Sequence, residues 1–141
     1  MREPGPSQHA PRRDLESWWQ DHSELDYMID ALLTMIDRGS AAAASSALED
    51  LAGSMQAHLD VEEEVYFPLI ERLAPEHSAT LREARLTHLE LRERIEALRQ
   101  HLALGELEDA RSALTKLLHE LRAHEQMEAR LIADLARTEP R

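Results

Sequence analysis

Four stretches of this chain step apolar residues alternately by three and four positions, the spacing that lines one face of an α-helix, yet six places in those seams hold histidine or glutamate. The first seam runs Leu15, Trp18, His22, Leu25, Ile29, Leu32 and Ile36, and the second Leu48, Leu51, Met55, His58, Glu62, Val65 and Leu69. The third is Leu81, Ala84, His88, Leu91, Ile95, Leu98 and Leu102; the fourth passes from Leu107 through Ala110, Leu114, Leu117, Leu121, His124, Glu128 and Leu131 to Leu135. Gly39 and Gly105 fall where a helix can end in a left-handed residue, and Pro75 suits a first helical position, so the connections are short. Short connections make consecutive helices antiparallel. The expected fold is all-α, an up-down-up-down four-helix bundle over residues 14–137. Residues 1–13, rich in proline and charge, are expected to form a disordered arm, and the chain from Thr138 onward a frayed end.

The polar seam residues occur as one pattern used twice. His22 leads to the His-x-x-x-Glu pair His58 and Glu62, and His88 leads at the same interval to His124 and Glu128. The repeat extends to Leu25 with Leu91, Ile29 with Ile95, Gly39 with Gly105 and Ala57 with Ala123, which implies two helical hairpins of similar design. Within each hairpin the ligand-type residues lie at nearly matching distances from the turn. At about 1.5 Å rise per residue, the mismatches amount to a few ångströms, and all six side chains are expected in one layer.

A single histidine in such a seam is ordinarily a hydrogen-bonded core residue. The two glutamates change that reading, because a carboxylate buried without a counter-charge costs several kcal/mol and no lysine or arginine shares these seams. A metal ion or a proton must compensate. With no cysteine in the chain, disulfides, thiolate ligands and iron–sulfur clusters are excluded, and any metal sits on nitrogen and oxygen. Four imidazoles and two carboxylates are too many for one tetrahedral zinc and suit two six-coordinate ions, a dinuclear iron site being the natural reading. The Glu-x-x-His motif of ferritin-like di-iron proteins is missing: Met55 and Leu121 stand three positions before His58 and His124.

These motifs resemble the hemerythrin-like family of HHE cation-binding domains. The resemblance spans roughly residues 14–136 and rests on DHSELD at His22, HLDVEEEVYFPLIE at His58 and Glu62, THLELRERI at His88, and HEQMEARLIADL at His124 and Glu128. It implies a four-helix bundle holding two iron ions joined by an oxo or hydroxo bridge, with His22, His58, His88 and His124 as terminal ligands and Glu62 and Glu128 as bridging carboxylates. Oxygen-carrying hemerythrins have a further histidine where this chain has Ala84, and an aspartate near the place of Glu128. The more oxygen-rich set argues against reversible oxygen carriage and toward reaction with peroxide or nitric oxide. The implied role is binding of O2, NO or peroxide in sensing, scavenging or storage. The alternatives are a di-iron enzyme acting on peroxide or nitric oxide, and a protein loaded with zinc or manganese.

Other features are expected to do less. His9 belongs to the arm, His101 and His119 lie off their seams and read as surface residues, and His77 reads as a helix-end residue too far along the axis to join the layer. Glu63 and Glu64 read as solvated face, with Glu63 the better placed to support a ligand because it adjoins Glu62. Trp18 and Tyr66 read as packing, with gating of a bound ligand as the alternative. A net charge of −12 without a basic patch argues against nucleic acid or anionic membrane as a partner. With neither a signal-like apolar segment nor the ~20 apolar residues of a membrane span, the expected location is cytoplasmic. The oligomeric state is not legible.

Overall fold

The computed structural model describes the backbone of residues 6–138 and side chains from His22 to Arg137. In chain order the elements are α1 (Pro6–Asp37), α2 (Ala41–Val61), a π-helical turn (Glu62–Tyr66), α3 (Phe67–Leu73), a 3₁₀ turn (Pro75–His77), α4 (Ser78–Ala103) and α5 (Leu107–Thr138). α2, the π turn and α3 follow without a break, so the described residues form four helical rods and no strand. Helix α1 begins at Pro6, where a missing N–H is tolerated, and so includes residues 6–13 of the expected arm. Residues 1–5 and 139–141 lie outside the described residues, as do the side chains of Leu15 and Trp18.

The two glycine stops work as the sequence suggests. Gly39 and Gly105 adopt φ of +79° and +72°, in the left-handed region that costs glycine little. Each closes its helix with the same pair of hydrogen bonds: Gly39 N–H to Ile36 O and Ser40 N–H to Met35 O, then Gly105 N–H to Leu102 O and Glu106 N–H to His101 O. Ser40 also caps α2, its hydroxyl accepting from the Ala43 N–H at 3.2 Å. These compact turns join helices that pack on one another, α1 with α2 and α4 with α5. α1 packs on α2 and α5, and α4 packs on the same two.

Among the described side chains the buried seams are those expected, except at the two ends of the fourth, where Leu107 and Leu135 are only partly buried, and beyond Glu62. Val65 is exposed and Leu69 only partly buried, whereas Tyr66, Phe67 and Ile70 are buried. The cause is the π turn, in which Phe67 N–H bonds to Glu62 O five residues back and the wider turn rotates the following residues. From His58 the inward face therefore advances in fours through Glu62 and Tyr66 to Ile70. Pro68 supplies a local reason, because it has no N–H to give and its ring crowds the carbonyl of Glu64.

The core divides in two along the rods. A large cluster from all four rods includes Leu25, Ile29, Leu32, Leu48, Leu51, Leu59, Leu91, Leu98, Leu117 and Leu121. A smaller one comprises Tyr66, Phe67, Ile70, Leu81, Ala84 and Leu131. His22 adjoins the larger cluster on α1, and between the two clusters in helical register lie His58, Glu62, His88, His124 and Glu128; these six are the buried polar residues among those described. No helix among the described residues is long and apolar enough to cross a membrane.

Candidate metal centre

All six seam residues come together, and they do so as two overlapping groups. His22, His58, Glu62 and Glu128 offer ligand atoms within 4.8 Å of one another, as do Glu62, His88, His124 and Glu128. Both carboxylates belong to both groups. His22 Nε2 lies 2.9 Å from Glu128 Oε1, and His58 Nε2 lies 2.8 Å from Glu62 Oε2. On the other side His88 Nε2 is 2.7 Å from Glu62 Oε1, and His124 Nε2 is 3.2 Å from the same oxygen and 3.1 Å from Glu128 Oε2. The π turn contributes here, since Glu62 opens it and thereby reaches imidazoles from α2, α4 and α5.

The donor set suits a metal. Neighbouring donors 2.7 to 3.2 Å apart match the edge of a six-coordinate ion, about 3.0 Å for bonds of about 2.1 Å. Glu62 and Glu128 are both fully buried, and no arginine or lysine approaches either within ion-pair distance among the described residues. Two carboxylates side by side in such a place compete for a proton. Burial pushes Glu128 well above the carboxylate range, reinforced by its hydrogen bond to Glu62 and only partly opposed by His124. Burial acts on Glu62 in the same sense, but hydrogen bonds from Glu128, His124, His58 and His88 outweigh it and hold this carboxyl well below the ordinary range. Burial would lower His124, yet its hydrogen bonds with Glu128 and Glu62 prevail and raise it to about 10. Burial and the nearby His58 lower His22, against the pull of Glu125 and Glu62. Such a cluster is short of positive charge, which divalent ions supply.

Around this layer stand residues that seam reasoning weighed lightly or missed. Glu63, expected on a solvated face, turns its carboxylate to His88, whose Nδ1–H donates to Oε2 at 2.5 Å. Phe67 stacks on the same imidazole with ring centroids 5.3 Å apart. Glu125, one position past His124, is half-buried, and burial raises it to about 7 against the attraction of His22 and with the repulsion of Asp26. Neither Glu125 nor Asp26 lies on a seam. Tyr66 is buried in the smaller apolar cluster, and Glu64 is exposed. The excluded histidines stay outside: His77 is in the 3₁₀ turn, His119 is exposed, and His101 bonds to Glu106 at the helix end, with Asp109 near by on the surface. His9 lies beyond the described side chains.

The hemerythrin HHE cation-binding domain matches residues 12–136, and the chain belongs to that family. Comparison with curated proteins and with solved structures gave no match. Family and buried His/Glu cluster together identify a cation-binding helical protein.

Proposed function

We propose that the chain is a non-haem di-iron protein, an up-down-up-down antiparallel bundle that binds O2, NO or peroxide at its metal centre in sensing, scavenging or storage. The observation that carries this reading is the sharing of Glu62 and Glu128 between two four-residue groups, the arrangement two ions bridged by two carboxylates require. In this proposal His22 and His58 hold one iron, His88 and His124 the other, and Glu62 and Glu128 span both. Two irons so held supply redox equivalents and an open position for a small ligand. The chain's own contribution is to orient the imidazoles, to keep the carboxylates in a dry layer between two apolar clusters, and to hold protons at Glu128 and His124 until metal displaces them. Ala84, buried one turn before His88, adds no nitrogen donor, which supports ligand sensing or redox chemistry over reversible oxygen carriage. The cytoplasm is the proposed setting.

Iron reconstitution under anaerobic conditions followed by oxidation tests this. Two irons per chain and an oxo-to-iron charge-transfer absorption are expected, whereas a single zinc per chain with no uptake of iron overturns the dinuclear reading. In the same assay Glu62→Ala and Glu128→Ala lose metal and His119→Ala keeps it.

A further inference from the structure

One imidazole of the centre, that of His88, is held from outside by a line of charged side chains. His88 Nδ1 donates to Glu63 Oε2 at 2.5 Å, and the same oxygen receives Arg92 NH2 at 3.0 Å. Arg92 is itself anchored, its Nε donating to Gln56 Oε1 at 3.2 Å and NH2 reaching Asp60 Oδ1 at 3.4 Å, while Gln56 Nε2 donates to Asp60 at 2.7 Å. A continuous line of ion pairs and hydrogen bonds therefore runs from the α2–α4 surface to the outer nitrogen of His88. It holds the ring with Nε2 facing inward, and a carboxylate accepting from Nδ1–H would make the Nε2 lone pair more basic toward an ion. Phe67, stacked on the ring, restricts its rotation. At the places that the internal repeat matches to Glu63 and Arg92 stand Ala129 and Asp26, a methyl group and an acid.

We infer that Glu63 and Arg92 are positioning residues for one metal position, so that the ion served by His88 and His124 depends on them and the ion served by His22 and His58 does not. The inference rests on the dinuclear reading above and assigns outer support to one of its two positions. A buried imidazole already paired with a carboxylate loses little freedom when an ion arrives, and removing such support ordinarily weakens metal binding by about 10- to 100-fold.

Chelator-treated full-length protein titrated with zinc, which is diamagnetic, tests this by calorimetry and by ¹⁵N spectra of its histidine rings. In the unaltered protein two equivalents are expected to bind, one read by the His88 and His124 rings and the other by those of His22 and His58. Glu63→Ala should weaken the step read by His88 and His124 by about 10- to 100-fold and release the His88 tautomer, leaving the other step in place. Glu63→Gln, which can still accept from Nδ1–H but lacks the charge, should lose less, and the exposed neighbour Glu64→Ala should lose nothing. Circular dichroism of each variant separates misfolding from weakened binding, and Glu63 is partly exposed, so the fold should tolerate its loss. The inference fails if Glu63→Ala leaves both steps unchanged, if it weakens both equally, or if it weakens only the step read by His22 and His58. An unaltered protein that takes up only one zinc would instead remove the dinuclear reading itself.

Discussion

The large apolar cluster and the polar layer beside it are made from the same four rods and the same seams, and they differ only in which residue type occupies the inward positions. In the cluster, each buried leucine gains about 1.5–3 kcal/mol from leaving water. In the layer, two buried carboxylates cost energy unless hydrogen-bonded and compensated. One region therefore holds the helices in place, while the other offsets part of that stability by keeping charged groups where water is excluded. If so, changes in the cluster should alter folding before they alter metal binding, and changes in the layer should do the reverse.

The largest effect is expected from the cluster. Leu117 is fully buried on α5 against the other rods, and Leu117→Ala should destabilise the fold by about 2–5 kcal/mol, from lost transfer energy and the cavity left behind. Urea unfolding of the metal-free protein measures this. Metal stoichiometry in the folded fraction should stay at its unaltered value, and a loss of metal without a loss of stability would break the division between the regions.

Removing metal should have the next largest effect. Ions that bind only the folded chain stabilise it by about 2.7 kcal/mol when their free concentration is about a hundred times Kd. The metal-free protein should remain helical, because most seam positions are apolar, but melt earlier. The difference should grow with pH. His124 is raised from 6.5 to about 10, so its contacts with Glu62 and Glu128 stabilise the metal-free chain fully below pH 6.5, and that contribution fades as pH rises through about 10. Glu128, also raised, acts in the same direction: its ionisation at higher pH burdens the folded state. Metal displaces these protons and binds more tightly as pH rises. Melting curves of loaded and metal-free protein should therefore diverge from neutral pH toward pH 10, and curves that coincide would leave the polar layer without a metal-dependent role.

Much of this arrangement was legible before any coordinates. Helical periodicity locates the rods because the seams are long and apolar at most positions, and the six ligand-type residues stand out because the same interval carries them twice. The seam after Glu62 was misread at Val65 and Leu69, since a uniform period of 3.6 does not anticipate a π turn; Pro68, which removes a helical donor just beyond, was the available signal. The Glu63–Arg92 line was hidden for a different reason. Its members lie on separate rods, and only tertiary packing brings them together. The repeat held a trace of it, because Ala129 and Asp26 break the likeness of the two halves at the matching places. Glu125 and Asp26 lie off the seams, so a face-counting argument passes over them.

The smallest effect is expected where the same arginine–carboxylate chemistry recurs away from the polar layer. Arg99, like Arg92, reaches from α4 to a carboxylate of the α2 rod, its Nε and NH2 donating to the two oxygens of Glu49 at 2.8 and 3.1 Å. It does so beside the apolar cluster, on the exposed surface, with no imidazole behind the carboxylate. An exposed pair of this kind is worth about 0.2–1 kcal/mol, and a double-mutant cycle with Glu49→Ala and Arg99→Ala should return a coupling in that range. The hydrogen bond from Arg99 lowers Glu49 from 4.5, so the coupling is fully present above pH 4.5 and disappears as pH falls through the lowered value. Salt at 1 M, with a screening length of about 3 Å, should shrink it further. Zinc affinity should be unchanged in Arg99→Ala and weakened in Arg92→Ala, although both arginines join the same two rods. Equal effects would mean that Arg92 acts by fastening α4 to α2, and a weakening confined to Arg92→Ala would locate its influence in the line through Glu63 to His88.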